Sequence, residues 1–353
     1  MSMVFPAKRV TPLPIGAIVI TVVMVLGALL WMATERPDDS VVRPFGPRAP
    51  WNVPVAQLRQ HPESDIFVDR LWRRSPSSRP GNFNLGFDEY TYPVYSAQDA
   101  TGLFHVRLDN GAELSGKKIP WNPAWRPASG DDAQVIILDR EKGIEWDLWQ
   151  VRFDGEIVRA SNGSQVAGDY RTKEDGHPSS RGVGIPYLAM LVRPDEIRQG
   201  VIRHALSLPI RNTDGDYFVA PATKLEHPGR LRNGIPEGMR FALDVSDGDI
   251  QKWLDGMPEG MRKSTLRSAR IIAEALRDYG WFITDTAGGA HFQFESRLTA
   301  GKDWAELGLD YREVDEFRVY PRDLLDRLLQ PERIYAIVPS DEYPVDLRAR
   351  ASR

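Results

Sequence analysis

The chain contains no cysteine. That excludes thiol catalysis, cysteine-ligated zinc, iron–sulfur clusters, disulfides and a lipid anchor attached through a cysteine. No long block of lysine and arginine occurs, and the net charge is −4 with a pI near 5.9, so a nucleic-acid-binding role is not expected. There is no Gly-x-Ser-x-Gly elbow of the lipase type, no phosphate-binding loop and no His-x-x-x-His pair. Asp214-Gly-Asp216 and Asp247-Gly-Asp249 lack the spacing and closing glutamate of a calcium loop, so neither a metal nor another cofactor is expected. Charge is absent from one stretch, Ile15 to Met32.

As a helix that stretch would be about 27 Å long, close to the hydrocarbon thickness of a bilayer. Trp31 stands at its far end, where an indole favours the interface. Cleavage after Ala28 would place Leu26, and cleavage after Ala33 would place Trp31, where a signal peptidase needs a small residue. The segment is therefore expected to stay attached as a signal anchor. Lys8 and Arg9 precede it, which favours a cytoplasmic N-terminus, although Arg36, Arg43 and Arg48 follow it.

The expected organisation is a cytoplasmic segment (1–14), a transmembrane anchor (15–32), a proline-rich spacer (33–58), an ectodomain (59–335) outside the cytoplasm and a polar tail (336–353). The 27 prolines and 29 glycines predict frequent turns and many short strands. Val135–Leu138 and Ile144–Phe153, joined by Asp139-Arg-Glu-Lys-Gly143, read as a hairpin. Val201–Ile210 reads as a strand, preceded by one helical turn over Pro194–Gly200. Trp281–Asp285 and Ala290–Glu295 read as a second hairpin around Thr286-Ala-Gly-Gly289. One helix is expected over Lys263–Tyr279, with Leu266, Ala269, Ile272, Ala273 and Leu276 on its apolar stripe, and a short one near Arg322–Leu329. The predicted fold is mainly β: a jelly-roll-like sandwich with helices packed on it.

Three segments carry a resemblance. These are Gly184-Ile-Pro186, then Arg193-Pro-Asp-Glu-Ile197, then Gly200-Val-Ile-Arg-His-Ala-Leu206. Glu145-Trp-Asp-Leu-Trp149, the Pro-Glu-Gly-Met-Arg-Phe run at 236–241 and Tyr279–Gly289 belong with them. Together they resemble a broad group of largely uncharacterised secreted or anchored bacterial proteins, over roughly residues 60 to 330. The resemblance implies a β-sandwich and an envelope or exterior setting, and no particular activity.

Four sets of residues are candidates for chemistry. Alternation puts Glu145, Asp147 and Trp149 on one strand face. Paired carboxylates beside an aromatic suit glycoside hydrolysis, but the third acid of laminarinase-type sites is missing; the plain alternative is a solvated face. His204 is a candidate general base of a polysaccharide lyase, with Arg203 to neutralise the sugar carboxylate, although Ile202, Leu206 and Leu208 mark the side of His204 as core and Arg203 points the other way. His177 and Arg181 lie in a glycine- and serine-rich loop that either lines a ligand site or merely connects. His291 shares a polar side with Thr284, Asp285 and Gln293.

Two functions of different classes follow from this pattern. One is an anchored glycoside hydrolase or polysaccharide lyase acting on envelope or extracellular polysaccharide. In it Glu145, Asp147 and His204 would be catalytic, with Trp149, His177, Arg181, Arg203 and His291 on the substrate. The other is a non-catalytic envelope module that binds glycan or a protein partner.

Overall fold

The structure, a computed structural model, describes residues 44–177, 180–309 and 323–344. The expected anchor at 15–32 lies outside them, and among the described residues no helix is long and apolar enough to cross a membrane.

Helix α1 (Ser64–Arg74) leads into β1 (Asn84–Gly86), β2 (Val94–Ser96), β3 (Gly102–Leu108), β4 (Lys118–Trp121), β5 (Val135–Asp139), β6 (Ile144–Trp149), β7 (Arg152–Phe153), β8 (Ile157–Ala160) and β9 (Asn162–Gln165). Their sheets run β2-β5-β6-β9 and β4-β3-β8-β7. Val106, Ile119 and Val158 of one sheet and Ile137, Trp146 and Leu148 of the other share a single apolar core. Strands β5 and β6 form the expected hairpin, pairing Val135 with Leu148 through Asp139 with Ile144. At its turn Gly143 has φ 68°, and a Cβ there would come within 1.9 Å of Asp169.

The second half holds α2 (Pro194–Gln199), β10 (Leu206–Ile210), β11 (Thr213–Val219), β12 (Ile235–Glu237), β13 (Arg240–Leu243), α3 (Asp247–Asp255), α4 (Lys263–Asp278), β14 (Trp281–Thr286), β15 (His291–Gln293), α5 (Arg297–Ala300), α6 (Asp303–Glu306), β16 (Ile334–Ile337) and β17 (Glu342–Pro344). The sheets are β10-β14-β13-β16, β12-β11-β17 and the pair β1-β15. Helices α1, α3 and α4 bury Leu71, Ile250 and Ile272 in a core shared with Leu208, Phe241, Trp281 and Phe292. Helix α4 covers the predicted span and buries Ala269, Ile272, Ala273 and Leu276.

The described residues are β-rich, as expected, but their strands are spread over five small sheets. Parallel pairs occur between β2 and β5, β3 and β8, β10 and β14, β11 and β12, and β1 and β15. A jelly roll would need two facing sheets built from antiparallel Greek keys.

Other expectations are corrected. The second hairpin does not form: β14 pairs with β10 and β13, while β15 pairs with β1. Alternation identified the buried face, since Trp281, Ile283, Phe292 and Phe294 are all core, but it carries no information about the partner strand. The strand expected from Val201 begins only at Leu206. Gly200 ends α2 at φ 89°, and the amide of Ala205 donates to the carbonyl of Trp51. Around Arg322–Leu329 the described residues, from Asp323 on, form turns, interrupted by Arg327 at φ 67°.

The described part of the spacer is not a spacer. Phe45 and Trp51 are buried edge to face with centroids 5.2 Å apart, and Arg240 donates to the carbonyls of Pro50 and Val53. Proline density sets an extended backbone but does not stop two aromatic side chains from entering a core. The polar tail is likewise part of the fold as far as residue 344, through β16 and β17.

Candidate active site

A cleft of about 420 Å³ opens where β6, the 181–187 segment and the 224–227 and 285–286 loops meet. That is within the usual size of a small-ligand site. Asp132, Asp147, Glu226 and Asp285 bring carboxyl groups to its lining, with Arg181 and Lys224 among them and Tyr92, Tyr187 and Trp149 as aromatic surface.

Two of the acids are set by β6. Glu145 and Asp147 point to the side of the strand opposite Trp146 and Leu148, as alternation requires. That side is not solvated: Glu145 is 0% and Asp147 2% exposed, because the 185–192 segment covers it. The amide of Leu188 donates to Glu145 Oε1 at 2.9 Å and that of Tyr187 to Asp147 Oδ2 at 3.1 Å. The other oxygens, Glu145 Oε2 and Asp147 Oδ1, are buried without a hydrogen-bond partner. Burial first, and then the charge of Asp147, hold Glu145 well above the usual carboxylate range. Burial raises Asp147 as well, against hydrogen bonds from Glu145 and Ser180. Asp147 lines the cleft; Glu145 lies behind it, sealed from solvent.

Opposite stands a second acidic group. The amide of Thr286 donates to Glu226 Oε2 at 2.8 Å and to Asp285 Oδ1 at 3.0 Å. Burial, then the Glu226 carboxylate with its hydrogen bond, then Glu237, push Asp285 well above the usual range. Asp285 is half-buried and lines the cleft, within reach of a ligand bound there. Lys224 is pulled down by burial, although Asp285 and Glu226 oppose the shift. Asp132 is held differently. Trp149 Nε1 donates to its Oδ1 and Gln134 Nε2 to its Oδ2, both at 3.1 Å, which fixes the orientation of the carboxyl group.

Arg181 acts as a brace through both terminal nitrogens, while its Nε is buried without a partner. One terminal nitrogen donates to Ser207 Oγ at 2.6 Å and Gln293 Oε1 at 2.7 Å, and the other to the carbonyls of Tyr187 and Ala189 at 2.8 and 2.9 Å. Its guanidinium also lies 5.0 Å from the Tyr92 ring centroid, and Tyr92 stacks on Tyr187 at 4.4 Å. Backbone strain gathers here too. Tyr90, Ala133, Gln150 and Arg181 all have positive φ and all lie in or beside the cleft-lining loops. Such strain in residues other than glycine concentrates at functional sites.

The remaining predicted residues are dispersed. His204 is a core histidine, 1% exposed, between the Ala205 carbonyl at 2.8 Å and Glu196 Oε1 at 2.9 Å. Arg203 is half-buried on the neighbouring position. His177 is buried, with Nε2 3.7 Å from Glu113. His291 lines two adjoining hollows. The structure thus unites Asp147, Trp149 and Arg181 and adds Asp132, Glu226, Tyr92, Tyr187 and Lys224, none of which has a sequence pattern that marks it. Asp285 carried a weak signal, in the polar alternation around Thr284. Among the described residues no group of three or more His, Asp or Glu is arranged to hold a metal ion. Comparisons with protein families, with curated proteins and with solved structures find no match for this chain.

Proposed function

We propose that this chain is a glycoside hydrolase acting on a neutral glycan of the envelope or exterior. The observation that carries the reading is the contrast between two cleft carboxyls: Asp285 is raised by burial and by Glu226, while Asp132 is fixed by two donors. A carboxyl raised by burial, facing the same cleft as a second carboxyl oriented by hydrogen bonds, suits the pairing of a general acid with a base. Asp285 gives its proton to the glycosidic oxygen as the bond from that oxygen to the anomeric carbon breaks. Water then adds its oxygen to the anomeric carbon, and Asp132 takes the water's proton. Asp285 is reprotonated from solvent, and Asp132 releases its proton there. Trp149, half-buried at the cleft wall, offers the apolar surface that a sugar face needs, in front of the buried Tyr92–Tyr187 stack.

A lyase fits less well. Arg181 is committed to four acceptors, and a carboxylated sugar would meet Asp132, Asp147, Glu226 and Asp285. Glu145 and Asp147, and the brace Arg181, act in this reading by fixing the cleft wall. The part of the jelly-roll expectation we retain is a small sandwich over β2–β9, which presents Asp132, Asp147 and Trp149. We also propose that residues 15–32 anchor the chain with the N-terminus in the cytoplasm, in company with the secreted or anchored proteins its motifs resemble.

The test is release of reducing ends from neutral glycans by the full-length chain and by Asp285→Asn. Loss of about 100-fold or more in kcat is expected, since general acid catalysis contributes roughly that much. Full activity in Asp285→Asn would sink the assignment. Binding without turnover in the unmodified chain would favour a non-catalytic module, which the aromatic lining serves equally well. The anomer formed first shows whether Asp132 acts as base (inversion) or nucleophile (retention).

A further inference from the structure

The cleft does not end at its own rim. Asp132, Gln134, Asp285 and Thr286 line it and also line a neighbouring hollow of about 340 Å³. That hollow in turn shares Tyr90, Ala287, Gly288 and His291 with a third, of about 630 Å³. Three hollows with shared walls make one groove, and the whole exceeds what a single small ligand fills. From this continuity we infer that the site takes a linear glycan of several sugar units and cuts it internally, an inference that rests on the hydrolase reading above.

The geometry gives the groove a division of labour. Asp132 and Asp285 sit at the boundary between the first and second hollows, so a bond placed between them has sugar units on both sides. The far end has its own recognition surface. Tyr90 is 40% exposed, at φ 56°, with its ring centroid 6.5 Å from that of His291. The His291 ring lies over Gly86, where a Cβ would approach it to 2.8 Å, so the absence of a side chain there leaves the ring its place. An exposed, backbone-fixed tyrosine beside a histidine suits a sugar face stacked at a distance from the reacting bond. Gly288, whose Cβ would meet nothing within 4 Å, leaves the passage between the two ends open.

The probes are neutral gluco-, manno- and N-acetylglucosamine oligomers of one to six units, with hydrolysis and binding measured on the full-length chain and on Tyr90→Ala. A circular dichroism spectrum and melting curve of Tyr90→Ala establish that it folds. Affinity should tighten by about ten-fold or more between two and five units, with cleavage at internal bonds, and Tyr90→Ala should erase most of that gain. Hydrolysis with no dependence on length, or a length dependence that Tyr90→Ala leaves intact, overturns the extended groove while the hydrolase reading stands. Neither hydrolysis nor binding of any oligomer overturns both.

Discussion

Glu237 is fully buried at the end of β12, with Oε2 accepting from the amide of Glu226 at 2.9 Å and Oε1 from Thr286 Oγ1 at 3.4 Å. Burial, which these two donors do not offset, pushes its carboxyl up to about 8. In the unfolded chain the same group ionises near 4.5. Between those values the folded chain holds the proton and the unfolded chain does not, so raising the pH favours unfolding. The contribution of Glu237 to stability is therefore complete below about pH 4.5 and is lost as the pH rises through about 8. Asp285 and Glu145, also raised, act in the same direction. The melting temperature should fall across that window, and Glu237→Gln should flatten the decline. A wild-type melting temperature that rises from pH 5 to pH 8 would contradict this assignment. None of it is visible in the sequence, where Glu237 is only one member of the Pro-Glu-Gly-Met-Arg-Phe run at 236–241. Glu145 and Asp147 show the same limit: alternation put them on one face, but the segment that covers that face lies some forty residues further along the chain.

Elements whose rules are local were legible. Helix α4 follows a 3.6-residue stripe and stops where Gly280 takes φ 67°; α2 begins on a proline and ends on a left-handed glycine. The β5–β6 hairpin carries both its strands and its turn within fifteen residues, Val135 to Trp149. Strands β14 and β15 were recognised as strands, but their partners, β10, β13 and β1, are set by packing remote in sequence. The strap from Phe45 to Gln57 is the clearest failure, because its proline content outweighed two aromatics. Trp51 is 0% exposed against Phe45, and Arg240 ties the strap's carbonyls to the carbonyl of Tyr279 at the end of α4. Trp51→Ala should therefore cost about 3–5 kcal/mol, measured by denaturant unfolding, the range for emptying a large aromatic site. A change below about 1 kcal/mol would restore the spacer reading for this stretch.

At the scale of the whole chain, the candidate site was legible only in outline. It is assembled from the β6 strand, the 132–134 loop, the 181–187 segment and the 224–226 and 285–291 loops, which no single motif spans. The part around β2–β9 supplies Asp132, Asp147 and Trp149, and the helix-backed part supplies Glu226 and Asp285, so the cleft exists only when both are folded. The sidedness proposed for the anchor is a property at this scale as well. In intact spheroplasts, added protease should degrade the folded domain; protection of that domain would reverse the proposed orientation.

The Ala287–Gly289 passage between the two ends of the groove has a practical consequence. Gly288 has no positive φ to demand glycine and no neighbour within 4 Å of a Cβ, so the first atom of a side chain meets no obstacle there. In the hydrolase proposed above, one codon would then set the width of the passage, and enlarging residue 288 is expected to shift product size without altering Asp132 or Asp285.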